Sequence, residues 1–359
     1  MVMGIMSLAA EGVRNLQPFE LTPGAGINVV VGANAAGKTS LLEAIYFVAR
    51  TRSFRATRTA QMIGNGHEAL WVRAQTQGHT IGVARDSQET QVRLDGRDGR
   101  SLSELARYLP VQVINSEHQR LLLDGPAVRR SFLNWAVFHV EPQFSTVWGR
   151  YVRALRQRNA ALKAGESRLA WAYDEGLIET ADTIDRNRRH LIDALEPRWS
   201  ALVRRWLPDE PVALHYRPGW RSDEPLADRL EAQRELDRQR GFTNSGPHRA
   251  DLSFRVAGVE AQHRLSRGQQ KLLVLALLLA QAAVTHTLTG QSLTLLVDDL
   301  AAELDPARRA AVVEAIASSG NQAFLTAIEP GDIPLAPDAA QWFHVEQGRI
   351  HSGPPPAAG

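Results

Sequence analysis

The segment Gly32-Ala33-Asn34-Ala35-Ala36-Gly37-Lys38-Thr39 fits the pattern G-x4-G-K-[ST] at every position, and nothing else in the chain constrains its fold as tightly. Ahead of it runs Ile27-Asn28-Val29-Val30-Val31, a short β-branched segment that reads as a strand. Behind it, apolar residues at 41, 42, 45, 46 and 48 recur at helical spacing. A strand, a glycine-bounded loop and a helix in that order predict a phosphate cradle. Backbone N–H groups must converge on the anion, which requires glycine where a side chain would clash. The helix adds the positive end of its dipole. In such a loop, Gly32–Ser40, Lys38 reaches the β- and γ-phosphates of a nucleoside triphosphate, and the Thr39 hydroxyl ligates Mg2+.

A phosphate loop needs a carboxylate on a neighbouring strand to complete the magnesium shell. Leu293-Thr294-Leu295-Leu296-Val297-Asp298-Asp299 supplies one: a buried-strand pattern that ends in two acids. Asp298 is expected to hold the metal through water, and Asp299 to orient or deprotonate the attacking water. The plainer alternative is a pair of acids capping the next helix. Lys38 and Asp298 lie far apart in sequence, so the chain must leave the nucleotide-binding core, build something else and return.

The intervening texture shows what is built. Turn signals at Asn65-Gly66, Asp95-Gly96 and Asp98-Gly99 punctuate short alternating segments, predicting a small antiparallel β-region over roughly 67–95. Val111–Ile114 reads as a buried strand. From about 143 to 242 glycine becomes rare, and long amphipathic stretches such as 147–169 and 181–207 carry nearly balanced charge, which predicts a solvated helical lobe. Strand-and-helix texture then returns at 253–256, at the helix from Gln269, at 293–297, at the helix from Pro306 and at 323–326. The expected division is 1–142 and 243–352 as two halves of one α/β body, 143–242 as the inserted helical lobe, and 353–359 as a disordered tail.

Composition narrows the function classes. With 44% apolar and 22% charged residues, the 359-residue chain is of ordinary globular type, and a formal net charge of +2 does not by itself demand a polyanionic partner. It has no cysteine, which excludes disulfides and thiolate metal sites and fits a reducing cytoplasm. Only three of its 41 basic residues are lysines, Lys38, Lys163 and Lys271, so two of the three fall inside motifs. The longest apolar run, Leu272–Val284, is shorter than the roughly 20 residues a membrane span needs, and we expect a buried helix and no membrane partner. No secretory leader is expected at the start. Arg50, Arg52, Arg55 and Arg58 form the best basic cluster, a candidate for DNA phosphates in a salt-dependent contact or for the nucleotide itself. His139 and His248 stand without metal-ligand spacing and read as structural.

Leu265-Ser266-Arg267-Gly268-Gln269-Gln270-Lys271 precedes the long buried helix. It resembles the signature motif of ABC-type ATPases in the form typical of the RecF family. The physics is compatible, since Ser266 is a good N-cap and a helix start attracts phosphate. The blocks Ser53-Phe54-Arg55, Asp124-Gly125-Pro126, Arg129–Trp135, Phe138–Pro142 and Gly246–Asp251 are similar to that family too, and Glu303-Leu304-Asp305 looks like its D-loop. The resemblance implies an ABC-type P-loop ATPase head with a short helical arm. It also implies nucleotide contacts from Ser266, Gly268, Gln269 and Asp305 across an ATP-dependent homodimer. Slow, DNA-stimulated ATP hydrolysis is expected, with sequence-independent binding of double-stranded or gapped DNA, and action with RecR and RecO in loading RecA in the cytoplasm. Gln119 is the candidate for the remaining magnesium contact. Two departures point to slow turnover: Asp299 stands where many relatives carry Glu, and Phe324–Ala327 offers no switch histidine. A transporter ATPase subunit and a module that holds ATP without turnover are the competing classes. The inserted lobe argues against the first and Asp298-Asp299 against the second.

Overall fold

The computed structural model describes residues 4–99, 102–300 and 304–353. In chain order the strands are β1 (Ile5–Glu11), β2 (Phe19–Leu21), β3 (Ile27–Val31), β4 (Leu70–Thr76), β5 (His79–Arg85), β6 (Thr90–Leu94), β7 (Arg97–Asp98), β8 (Val111–Ile114), β9 (Val212–Arg217), β10 (Asp251–Val256), β11 (Val259–Glu260), β12 (Thr294–Val297), β13 (Gln322–Ala327), β14 (Gln341–Glu346) and β15 (Arg349–Ser352). The helices are α1 (Lys38–Arg50), α2 (Leu102–Tyr108), α3 (Arg120–Leu123), α4 (Pro126–Val140), α5 (Phe144–Lys163), α6 (Ser167–Trp171), α7 (Asp174–Trp206), α8 (Leu226–Ala232), α9 (Arg234–Arg240), α10 (Ala261–Arg264), α11 (Arg267–Thr289) and α12 (Pro306–Ala317). They form two compact units, one from the chain before 119 and after 284, the other from 119–284.

The first unit holds two six-stranded sheets. One is antiparallel, in the order β2-β1-β4-β5-β6-β7, and alternates buried and exposed residues along β4 as a half-buried strand should. The other runs β15-β14-β3-β13-β12-β8, with β14, β3, β13, β12 and β8 parallel. Strands β3, β8, β12 and β13 are buried at every residue. That is why their sequences read as continuous apolar runs. Helix α1 packs into a single core with both sheets: Leu41, Leu42, Ile45 and Val48 share it with Leu8, Val72, Val83, Leu296, Phe324 and Phe343. A helix apolar on nearly all sides is one that is covered on nearly all sides.

The second unit is built on α4, α5 and α7 with a three-stranded sheet in the order β11-β10-β9. Trp199 of α7 packs on Phe254 of β10, and both are buried. Arg158 of α5 is fully buried, bonded to Asp174 at 2.7 Å, to Asp237 at 2.7 Å and to Thr243 at 2.8 Å. This compact unit extends past 143–242 on both sides. On the C-terminal side β10 pairs residue by residue with β9, Asp251 against Arg217 through Val256 against Val212, and on the N-terminal side Arg129 of α4 pairs with Asp251 of β10 at 2.8 Å. Strand β9 also interrupts a stretch read from sequence as wholly helical. Helix α11 is long and apolar enough by composition to cross a membrane, yet most of its apolar window is buried inside the protein. The tail residues 354–359 and Glu303 lie outside the described residues.

Candidate functional site

Four strand ends set the site. In the parallel sheet, Val297 pairs with Leu325 and with Ile114, while Val31 pairs with Ala327. The residues that follow β3, β12 and β8, and those at the end of β13, therefore gather at the carboxyl edge of the sheet, where ligands of open α/β sheets bind. From β3 the chain enters the phosphate loop. Gly32 has φ 159°, and a Cβ there would lie 2.2 Å from the Val345 carbonyl oxygen. Gly37 has φ 125°, and its Cβ would lie 2.7 Å from Leu16 Cδ2. Glycine is thus favoured at both ends of the loop, at Gly32 by the close approach of a backbone carbonyl and at Gly37 by its positive φ. Ala35 adopts the left-handed region at φ 62°, where its carbonyl accepts from Asn15 Nδ2 at 2.9 Å.

Lys38 Nζ donates to the carbonyls of Gly32 at 2.7 Å and Ala33 at 2.9 Å. Burial lowers the Lys38 pKa, and the charges of Asp299 and Asp298 oppose that shift. Thr39 Oγ1 donates to Asp298 Oδ1 at 3.1 Å across 259 residues of sequence. Burial raises the Asp298 pKa, against the hydrogen bonds from Thr326 and Thr39. Asp299 is exposed and left-handed at φ 56°.

Thr326 links the two acids. Its hydroxyl donates to Asp298 Oδ1 at 2.9 Å and accepts the Asp299 N–H at 2.8 Å. Sequence reasoning missed it, having scanned 324–327 only for a histidine. A hydroxyl at the end of a strand that must neighbour the acidic one was the available signal. Ser40 Oγ donates to Asn15 Oδ1 at 2.9 Å, so its hydroxyl braces the loop from behind.

The site opens into a cavity of about 1080 Å3 lined by Lys38, Thr39, Arg14, Asn15, Arg55 and His67, among others. That is at the upper end of small-molecule sites, roughly 300–1,000 Å3. Among the described residues no group of three or more His, Cys, Asp or Glu converges as a metal cage. The oxygens of Thr39 and Asp298 instead suit a hard cation that keeps water and takes ligands from phosphates. The arginine cluster is divided. Arg50 is half-buried beside Tyr46, Arg52 and Arg58 are exposed, and Arg55 faces the cavity within Coulomb reach of Asp298.

The other expected contacts are placed individually. In the second unit, Ser266 and Gln269 form a reciprocal cap on α11: the Ser266 N–H donates to Gln269 Oε1 at 2.8 Å, and the Gln269 N–H donates to Ser266 Oγ at 3.4 Å. Gly268 is half-buried in the first turn of that helix, and Gln119 is the residue before α3. Asp305 caps α12 in the first unit, accepting the Arg308 N–H at 3.0 Å. His248 is held by Tyr151 at 2.6 Å and Thr243 at 3.0 Å, and has no metal-like company.

Residues 4–351 match the family model described as "RecF/RecN/SMC N terminal domain". The chain is 40% identical to the DNA replication and repair protein RecF of Shewanella baltica (strain OS223), covering 97% of this chain and 99% of that one. It is 37% identical to the protein of the same name from Vibrio cholerae serotype O1 (strain ATCC 39541 / Classical Ogawa 395 / O395), covering 98% and 100%. In fold it is similar to the recombination mediator protein RecF solved with ATP in the RecFOR pathway (TM-score 0.83, 23% identity, 98% and 97% covered). It is similar also to the Smc head domain from Pyrococcus furiosus (TM-score 0.62, 14% identity, 97% and 96% covered).

Proposed function

The chain belongs to the RecF family within the RecF/RecN/SMC class, and on that premise we propose that it is an ATP-dependent DNA clamp of recombinational repair. The observation that carries the reading is the Thr39–Asp298 hydrogen bond. It joins a phosphate loop to an acidic strand end, the pair of features a nucleoside triphosphate site needs.

In this reading Gly32–Ser40 cradles the phosphates of ATP with backbone N–H groups, and Lys38 neutralises charge on the β- and γ-phosphates. Mg2+, when bound by Thr39 and Asp298 with Gln119 as a further proposed contact, withdraws charge from the phosphate oxygens. Asp299, exposed beside the site and oriented through its backbone by Thr326, positions the attacking water. Its side chain is one methylene shorter than glutamate, and hydrolysis is accordingly slow. Arg55 reads as a nucleotide contact in preference to DNA, because it faces the same cavity as Lys38.

Ser266, Gly268, Gln269 and Asp305 serve the ATP held by a second copy of the chain, so nucleotide joins a homodimer and hydrolysis releases it. The relatives' naming in replication, repair and the RecFOR pathway supports a role in DNA repair, and the proposed substrate is double-stranded or gapped DNA. RecR, RecO and, indirectly, RecA are the partners, in the cytoplasm. Arg50, Arg52 and Arg58 remain the proposed phosphate-backbone contacts, and binding is sequence-independent.

The test is DNA affinity at physiological salt with and without Mg-ATP. Mg-ATP is expected to tighten binding to gapped duplex, and Lys38→Met to remove that response. Equal affinity in the two conditions ends the clamp reading.

A further inference from the structure

Glu43 is the acid on the buried side of α1, four residues past Thr39, and it is 0% exposed. Its carboxylate is fully engaged. Arg14 grips it with two parallel bonds, Nε to Oε2 and Nη2 to Oε1, each 3.0 Å. Ser53 Oγ donates to Oε1 at 2.5 Å. The same Ser53 oxygen accepts the N–H groups of Arg55 at 2.8 Å and Ala56 at 2.7 Å. Arg14 in turn is left-handed at φ 53°, and its Nη1 donates to the Gln61 carbonyl at 2.7 Å. The next residue, Asn15, bonds both Ala35 and Ser40 of the phosphate loop. One buried carboxylate therefore ties together the helix that carries Lys38 and Thr39, the turn that braces the loop, and the segment that presents Arg55.

We infer that Glu43 is a positioning residue of the nucleotide site, acting through Ser53 to hold Arg55 in place for an anionic nucleotide before it arrives. The inference rests on the reading of Gly32–Ser40 as an ATP site. Arg55 itself makes no side-chain hydrogen bond or ion pair among the described residues, yet it lines the cavity and its charge reaches Asp298. A long cationic side chain with no fixed partner owes its placement to its backbone. That backbone is fixed at two consecutive N–H groups by the Ser53 hydroxyl, whose own orientation is set by Glu43. A contact arranged in advance does not spend binding energy on ordering, so affinity rises without any new contact. A buried carboxylate is also a costly choice for a position that only needs packing. Its retention in the middle of an otherwise apolar helix face is accounted for by this clamp.

The test is a double-mutant cycle on affinity for a fluorescent ATP analogue, measured with the full chain. Glu43→Gln is expected to weaken binding about tenfold, the scale of a lost charge-assisted contact. In an Arg55→Ala background the same substitution is expected to change binding less than about twofold, because the residue it positions is gone. Ser53→Ala keeps the Arg14–Glu43 pair and repeats the test should Glu43→Gln fail to fold. It too should weaken binding only when Arg55 is present. Wild-type affinity in both Glu43→Gln and Ser53→Ala, or equal losses with and without Arg55, overturns the inference. Wild-type affinity in Arg55→Ala alone overturns it as well, while the phosphate-loop reading stands or falls separately on Lys38→Met.

Discussion

At the scale of single residues, the site depends on hydroxyls as much as on charges. Thr326 donates to Asp298 and accepts from the Asp299 N–H, so one side chain fixes both acids. Thr326→Val keeps the shape and removes both bonds. Stability is expected to fall by about 1–3 kcal/mol, the cost of leaving a partly buried N–H unmet. ATP turnover should fall further than ATP affinity, and wild-type turnover in a folded Thr326→Val protein would remove Thr326 from the site. His248 offers a different test. Burial drives its pKa down to about 4, helped by Arg249 and Arg130 and opposed by the Thr243 carbonyl and Asp237. The Thr243 carbonyl can only accept, so Nε2 carries the proton and Tyr151 donates to Nδ1. An unfolded chain takes up this proton near pH 6.5, and the folded one only near 4. Between those values the unfolded state binds more protons, and stability falls as pH falls, by up to about 1.4 kcal/mol per pH unit. Urea midpoints at pH 7 and pH 5 should separate more for the wild type than for His248→Gln. Equal separation would show that other groups control the acid response.

At the scale of elements, the parallel strands were the legible part. Ile27–Val31 and Thr294–Val297 are short, mostly apolar and buried throughout, and each is followed by a residue type that chemistry requires, Gly32 and Asp298. The antiparallel region was legible through its turns, since Asp95-Gly96 adopts left-handed angles at both residues. Strand β9 was not. Its Val-Ala-Leu-His-Tyr-Arg sequence buries only Leu214 fully, and it is a strand because β10 pairs with it from 34 residues away, Asp251 against Arg217. Pairing of that kind leaves little local pattern to read. Strand β1, the parallel strand β14 and the edge strand β15 also went unread. Glu43 was passed over because its acid lies on an apolar stripe, where spacing alone reads as core. Gly32→Ala should prevent a functional loop, because its Cβ meets the Val345 carbonyl, and failure would appear as lost ATP binding. Ser266→Arg should leave ATP binding intact and block nucleotide-dependent dimerisation, since Ser266 lies exposed at the start of α11.

At the scale of the whole molecule, the phosphate loop takes its meaning from what accompanies it. Lys38, Thr39, Asp298, Asp299 and Thr326 assemble within the first unit, whereas Ser266, Gly268 and Gln269 belong to the second. In the proposed dimer the signature residues of one copy complete the nucleotide site of the other, and ATP acts as adhesive before it acts as fuel. Sedimentation velocity of the purified chain, with and without Mg-ATP, tests this most directly. Monomer without nucleotide and dimer with Mg-ATP are expected for the wild type, and monomer in both conditions for Lys38→Met and Ser266→Arg. The same sedimentation profile for the wild type with and without Mg-ATP would contradict it.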